Sequence, residues 1–133
     1  MTASNTSQIF KKRLYSSTLN LIKMLDRLNQ KDVVSYRLGD QLLRSGTSVI
    51  ANYVEASSSS SKAEFAKYLN ISLRSSNESK LWLCLLRDSE RLKNTEVKPL
   101  IENFDKYSKI FASSLITIRK KKAIENSKKK INS

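Results

Sequence analysis

Apolar residues return every three or four positions through most of the chain, which is the spacing of a helix with one buried face. Phe10, Leu14, Leu21, Leu25 and Leu28 form a first stripe, with Tyr15, Leu19 and Ile22 beside it, and predict a helix from about Gln8 to Leu28. The stretch from Tyr36 to Glu55 carries two adjacent faces, Leu38, Leu42, Ser45, Val49, Asn52 and Ala56 on one and Gly39, Leu43, Gly46, Ile50 and Tyr53 on the other. A helix with two such faces wants two partners. Gly39 and Gly46 are the only two glycines, and each costs about 1 kcal/mol relative to alanine inside a helix. Their place on one face predicts close approach by another helix.

A third helix is predicted from Ser61 to about Arg91. Its one face holds Phe65, Leu69, Ser72, Ser76, Ser79, Leu83 and Leu86, and the adjacent one Tyr68, Ile71, Ser75, Glu78, Trp82 and Leu85. In the last helix, Val97, Ile101, Phe104, Ser108, Phe111, Leu115 and Ile118 alternate four and three residues apart, as in a bundle seam. The fold expected is all-α, an antiparallel up-and-down four-helix bundle. Residues 81–86 are apolar at all six positions and so girdle their helix. One copy covers only a stripe, so the girdle predicts a homo-oligomer.

Short polar segments punctuate these helices. Asp32 or Ser35 can cap the second, Asn94 or Thr95 the fourth, and Ser61 with Glu64 has the capping-box spacing. Pro99 is expected in the first turn of the fourth helix, where its missing donor costs little. The serines at 57–61 read as a flexible connector. The domain organisation expected is a flexible N-terminus at residues 1–7, one bundle domain over 8–122, and a basic C-terminal tail over 123–133.

The chain has 133 residues and a net charge of +13, from 25 basic and 12 acidic side chains. Residues 1–118 hold 18 basic and 11 acidic groups, and Arg119 to Ser133 hold 7 and 1. Such a field attracts polyanions, nucleic acid before anionic lipid or acidic protein. Cys84, the single cysteine, cannot form an intramolecular disulfide and is expected as a small core residue. No secretory signal and no apolar run of about 20 residues is visible, so the location expected is cytoplasmic, with no membrane partner.

The run QLLRSGTSVIANYVEA from Gln41 to Ala56, then SKAEF at 61–65 and NESKLWL at 77–83, resembles the bacterial 23S ribosomal RNA intervening-sequence proteins. The match is ordered and spans about two helices. The resemblance implies a small four-helix bundle assembling as a ring, typically a homopentamer. It also implies a relation in fold to accessory proteins of diversity-generating retroelements, which bind nucleic acid and a reverse transcriptase. Glycines common near the asparagine of the motif in relatives are here Ile50 and Ala56.

Candidate chemistry is sparse. The absence of histidine removes the usual general base and the commonest metal ligand, and no glycine-rich phosphate loop occurs. Glu55 and Glu78 are acidic residues within the motif segments, and a magnesium nuclease would require them to face each other. No enzyme activity, cofactor or metal is expected. Gly46, Ser48, Asn52, Glu55, Glu78 and Trp82 are read as a structural motif, the polar ones joined with Arg44 in a network tying helices or subunits together. Arg44 is alternatively a phosphate or partner contact at the ring opening. The candidate nucleic-acid contacts are Lys11, Lys12, Arg13 and Arg44 together with Arg119, Lys120, Lys121, Lys122, Lys128, Lys129 and Lys130. Lys11 to Arg13 are placed in the opening turns of the first helix, where cations oppose the helix dipole. Without an interleaved aromatic-basic motif, the binding expected is of low specificity. The function expected is a non-enzymatic, ring-forming adaptor for nucleic acid, RNA first; the alternative is a scaffold docking a protein partner, such as a reverse transcriptase, without nucleic acid.

Overall fold

The computed structural model describes residues 3–132, with side chains from Asn5. It contains four helices and, among the described residues, no strand: α1 (Ala3–Leu25), α2 (Val33–Ser57), α3 (Lys62–Asp88) and α4 (Asn94–Asn132). The helices pack as a four-helix bundle in which α2 touches α3 most closely, α3 touches α4 nearly as closely, and α1 meets α4 least.

The core is built from the predicted stripes. Leu14, Leu21 and Met24 of α1, Leu42 and Val49 of α2, Leu69, Leu83 and Leu86 of α3, and Val97, Phe104 and Phe111 of α4 are all buried. Each buried aliphatic side chain of this size contributes about 1.5–3 kcal/mol. Between α2 and α3 the contact is made by serines: Ser45 pairs with Ser79 at 2.8 Å, Ser75 donates to Ser48 at 2.8 Å, and Ser72 donates to the Val49 carbonyl at 2.9 Å. Small side chains let these two backbones approach, and the hydroxyls of Ser45, Ser48, Ser72, Ser75 and Ser79 find partners inside, while that of the buried Ser76 has none in the structure. The paired numbers rise along α2 as they fall along α3. The same stepping relates α1 to α2, since Leu21 lies under Gly46 and Leu28 under Gly39. A Cβ built on Gly46 would stand 2.7 Å from Leu21 Cδ1, so the glycine is there for the approach of α1.

Helix ends depart from expectation in several places. Of the expected frayed end, residues 1 and 2 lie outside the described residues, while α1 is helical from Ala3 and ends at Leu25 instead of Leu28. Lys11 to Arg13 therefore stand in its third turn, beyond the reach of the dipole at its start. Asp32 caps α2, accepting from the Ser35 amide at 3.4 Å and the Ser35 hydroxyl at 2.7 Å. That hydroxyl, joined by the Arg91 guanidinium at 2.9 Å, holds the Asp32 carboxyl below its ordinary pKa. Ser61 caps α3 by accepting from the Glu64 amide at 3.1 Å. Neither Asn94 nor Thr95 caps α4; the Lys93 carbonyl receives the first amides, those of Glu96 and Val97. Pro99 is consequently in the second turn of α4. Its ring has no amide to offer the carbonyl of Thr95, an exposed residue one turn back.

At the end of α3, Glu90 adopts a left-handed φ of 64°. The Glu90 amide donates to the Arg87 carbonyl and the Arg91 amide to the Leu86 carbonyl, the paired bonds of a Schellman turn. The chain thus turns three residues before the predicted end at Arg91. The longest element is α4, which continues past Ile118 to Asn132 with every residue from Arg119 to Asn132 exposed. Fourteen residues of helix extend about 21 Å at the usual rise.

The girdle at 81–86 is only half covered by its own chain. Leu83 and Leu86 are buried and Trp82 and Cys84 half-buried, so Cys84 is not wholly in the core, while Leu81 and Leu85 are 52% and 41% exposed. Tyr15, Leu19 and Ile22, expected beside the α1 stripe, face outward, because α1 has neighbours only on its α2 and α4 sides. With Leu43 and Tyr36 of α2 they leave a second exposed apolar strip. Among the described residues no helix is long and apolar enough to cross a membrane.

Candidate nucleic-acid interface

The contacts that set the register also sort the charges. Ser17 pairs with Tyr107 at 2.6 Å, and Ser48 with Ser75, so these residues mark a level near the middle of the bundle. On one side of it lie residues up to 16, 48–74 and 106 onward, with 15 basic and 3 acidic side chains; the other side holds 10 and 9. Almost the whole net charge of +13 therefore sits on one half. Folding brings Lys11, Lys12 and Arg13 of α1 to the same end as Arg119 to Lys122 of α4, and the α4 extension carries Lys128 to Lys130 beyond it. Lys62 and Lys67 at the start of α3 add to this end.

Most ion pairs lie on the balanced half: Arg27 with Glu96, Lys80 with Asp105, Arg87 with Asp88, and Arg91 with Asp32. Hydrogen bonds from Lys109 and Lys80 hold Asp105 below its ordinary pKa, and one from Arg87 does the same for Asp88. On the basic half, Lys62 pairs with Glu125 at 3.3 Å, tying the α4 extension to the start of α3. Among the described residues Lys11, Lys12, Arg13 and Arg119 to Lys122 form no ion pair, so their charge faces water.

Arg44 is not brought to this end. It is exposed on the balanced half of α2 and its guanidinium joins no hydrogen bond or ion pair among the described residues, so the α2–α3 network is one of serines rather than of Arg44 and Glu55. Ser48 and Asn52 belong to it, Asn52 Nδ2 donating to the Ser48 carbonyl at 2.9 Å and hydroxyl at 3.0 Å. Glu78 accepts from Trp82 Nε1 at 3.1 Å. Glu55 is exposed and outside these bonds. Because Ser45 stands opposite Ser79, Glu78 lies about ten residues of helix from the level of Glu55, roughly 15 Å. The two carboxylates do not face each other. Among the described residues no three His, Cys, Asp or Glu side chains gather as a metal site.

Between α1 and α4 lies a feature that sequence reading missed. Hydrogen bonds join these helices beside the packing of Phe10 on Tyr107 and Phe111: Tyr107 Oη donates to the Arg13 carbonyl at 3.1 Å, and Asn103 Nδ2 donates to the Ser17 hydroxyl at 3.2 Å. The gap above this network is a furrow of about 630 Å³, whose cations are Lys12, Arg13 and Lys106 and which no carboxylate lines. It runs on past Phe10 and Ile110 into a hollow of about 690 Å³ that also touches Phe65. From there it continues along the serine loop into one of about 730 Å³ whose charged lining is Lys62, Arg119, Lys121, Lys122 and the Glu125 carboxylate paired with Lys62. Lys106 and Asn103 are some ninety residues from Lys12 and Arg13, so no local motif could announce the furrow.

The match to known proteins agrees with this architecture. Among curated proteins none matches. A crystal structure described as a protein of unknown function from the S23 ribosomal protein family of Bacteroides thetaiotaomicron is similar at a TM-score of 0.74 and 29% identity, covering 82% of this chain and 96% of that one. The family model described as 23S rRNA-intervening sequence protein matches residues 7–113, which take in α2, α3 and most of α1 and leave outside the start of α1 and the later part of α4. The chain belongs to the 23S rRNA-intervening sequence protein family.

Proposed function

We propose that this protein is a non-enzymatic, antiparallel up-and-down bundle that forms a ring-shaped homo-oligomer. In this reading it binds nucleic acid, RNA first, through its basic half and serves in the cytoplasm as an adaptor in ribonucleoprotein assembly. The division of charge carries the reading: 15 basic against 3 acidic side chains gather on one half, and phosphate binding requires several cations rather than one exact geometry. The description of the family by a segment of ribosomal RNA is consistent with it. The ring is supported by two unlike apolar patches, Leu81 with Leu85 on α3 and Tyr15, Leu19 and Ile22 on α1. A head-to-tail ring joins two different surfaces, whereas a two-fold dimer joins a surface to itself. Five copies, and a reverse transcriptase as protein partner, come from the family resemblance. Repetition would multiply a weak site by the copy number.

A second reading, a scaffold that docks a protein without nucleic acid, draws on the same α1 strip. Binding to a short structured RNA across a salt series separates them. Phosphate contacts predict affinity falling steeply with salt, by close to one power of concentration per phosphate neutralised. The Lys120, Lys121, Lys128, Lys129→Glu variant should bind weakly and with a flatter slope. RNA affinity that is absent or indifferent to salt would leave the scaffold.

A further inference from the structure

We infer that the furrow between α1 and α4 is a track for single-stranded nucleic acid, phosphates on its cations and a base against its aromatic floor. The inference rests on the nucleic-acid reading above and assigns it a place. Three observations carry it. The α1–α4 segment has Lys12, Arg13 and Lys106 among its lining residues and no carboxylate to oppose an anion. Its amides, Asn20 and Asn103, line the segment on the far side of the Tyr107–Ser17 pair from Lys12 and Arg13, Asn103 Nδ2 donating to the Ser17 hydroxyl, and give that end a polar lining. Phe10, half-buried, sits where this segment opens into the next, and is held edge-on by Tyr53, Tyr107 and Phe111 at centroid distances of 5.0, 5.6 and 5.7 Å.

A ring braced on three sides keeps a fixed face for a base at little entropic cost. Beside it, Ile9 and Ile110 are 40% and 44% exposed, which supplies an apolar border. Stacking on such a platform beside a cationic groove is how proteins hold single strands without sequence preference. A duplex turns its bases inward and could offer this furrow only phosphates. The continuation towards Arg119, Lys121 and Lys122 gives the strand a path onto the α4 extension.

The test uses the full chain and a fluorescent single-stranded RNA of about a dozen nucleotides, within the range that such grooves occupy. The same strand annealed to its complement is the second arm. Anisotropy should show the single strand bound more tightly than the duplex. Lys12→Glu with Lys106→Glu, both exposed positions, should weaken the single strand by roughly a hundredfold, and the charge-matched Lys31→Glu with Lys98→Glu on the balanced half by far less. Phe10→Leu, which keeps an apolar side chain in the core, should cost roughly tenfold for the single strand and nothing for the duplex. Equal loss in the two charge-reversed pairs, or a preference for duplex, would overturn the track and leave nucleic-acid binding standing. Failure of the unaltered protein to bind either form would overturn both.

Discussion

At the scale of single residues, the two glycines separate by what lies over them. Leu21 Cδ1 would stand 2.7 Å from a Cβ on Gly46, and Leu21 is completely buried, so it has little room to yield. Overpacking of this kind costs about 1–3 kcal/mol, against about 1 kcal/mol gained in helix preference. Gly46→Ala should therefore lower stability by about 1 kcal/mol in urea unfolding. Over Gly39 the nearest atom is Leu28 Cδ1 at 3.1 Å, the tip of a side chain near the rim of the core. A few tenths of an ångström suffice there, and Gly39→Ala should gain about 0.5 kcal/mol. Equal effects at both sites would mean that helix propensity alone governs them. Sequence spacing had marked both glycines as a site of helix approach, but it could not rank them, because the rank depends on which leucine faces each one.

At the scale of elements, the faces were legible and the ends were not. The α3 face of Phe65, Leu69, Ser72, Ser76, Ser79, Leu83 and Leu86 is buried at every position but Phe65, which is half-buried, because apolar and small residues at helical spacing turn one side of the helix to its neighbours. Met24, Leu100 and Tyr107 are buried beside the predicted stripes, since α1 and α4 each pack against two neighbours. Helix ends rest on single capping bonds worth about 1 kcal/mol, and several residues compete for each. The end of α3 offers a direct check. Glu90 occupies the left-handed position that glycine usually fills. Glu90→Gly should stabilise the protein by about 0.5 kcal/mol, the relief of the left-handed strain less the entropy gained by the unfolded chain. A loss of stability would mean that the glutamate side chain contributes more than its backbone costs.

For the whole molecule, the sequence disclosed the net charge but not its polarity. Lys11 to Arg13 and the lysines after Ile118 are a hundred residues apart along the chain, and only the register of four helices places them at one end. The candidate site was thus half legible: its cations were named, while its floor of Phe10, Tyr107 and Asn103 and its third groove cation, Lys106, required the fold. Arg44, named with them, is on the other half, where basic and acidic groups nearly balance. A bundle with exposed apolar strips on its sides and its charge at one end is suited to pack laterally while leaving that end in water.

Sedimentation velocity of the nuclease-treated protein, run alone and then with a short RNA at low and high salt, tests this division of surfaces most directly. The result expected is a discrete oligomer of the 15.2 kDa chain that persists on dilution, carries the RNA at low salt and releases it at high salt without dissociating. A 15.2 kDa monomer that sediments apart from the RNA at every salt concentration would contradict both halves of the proposal.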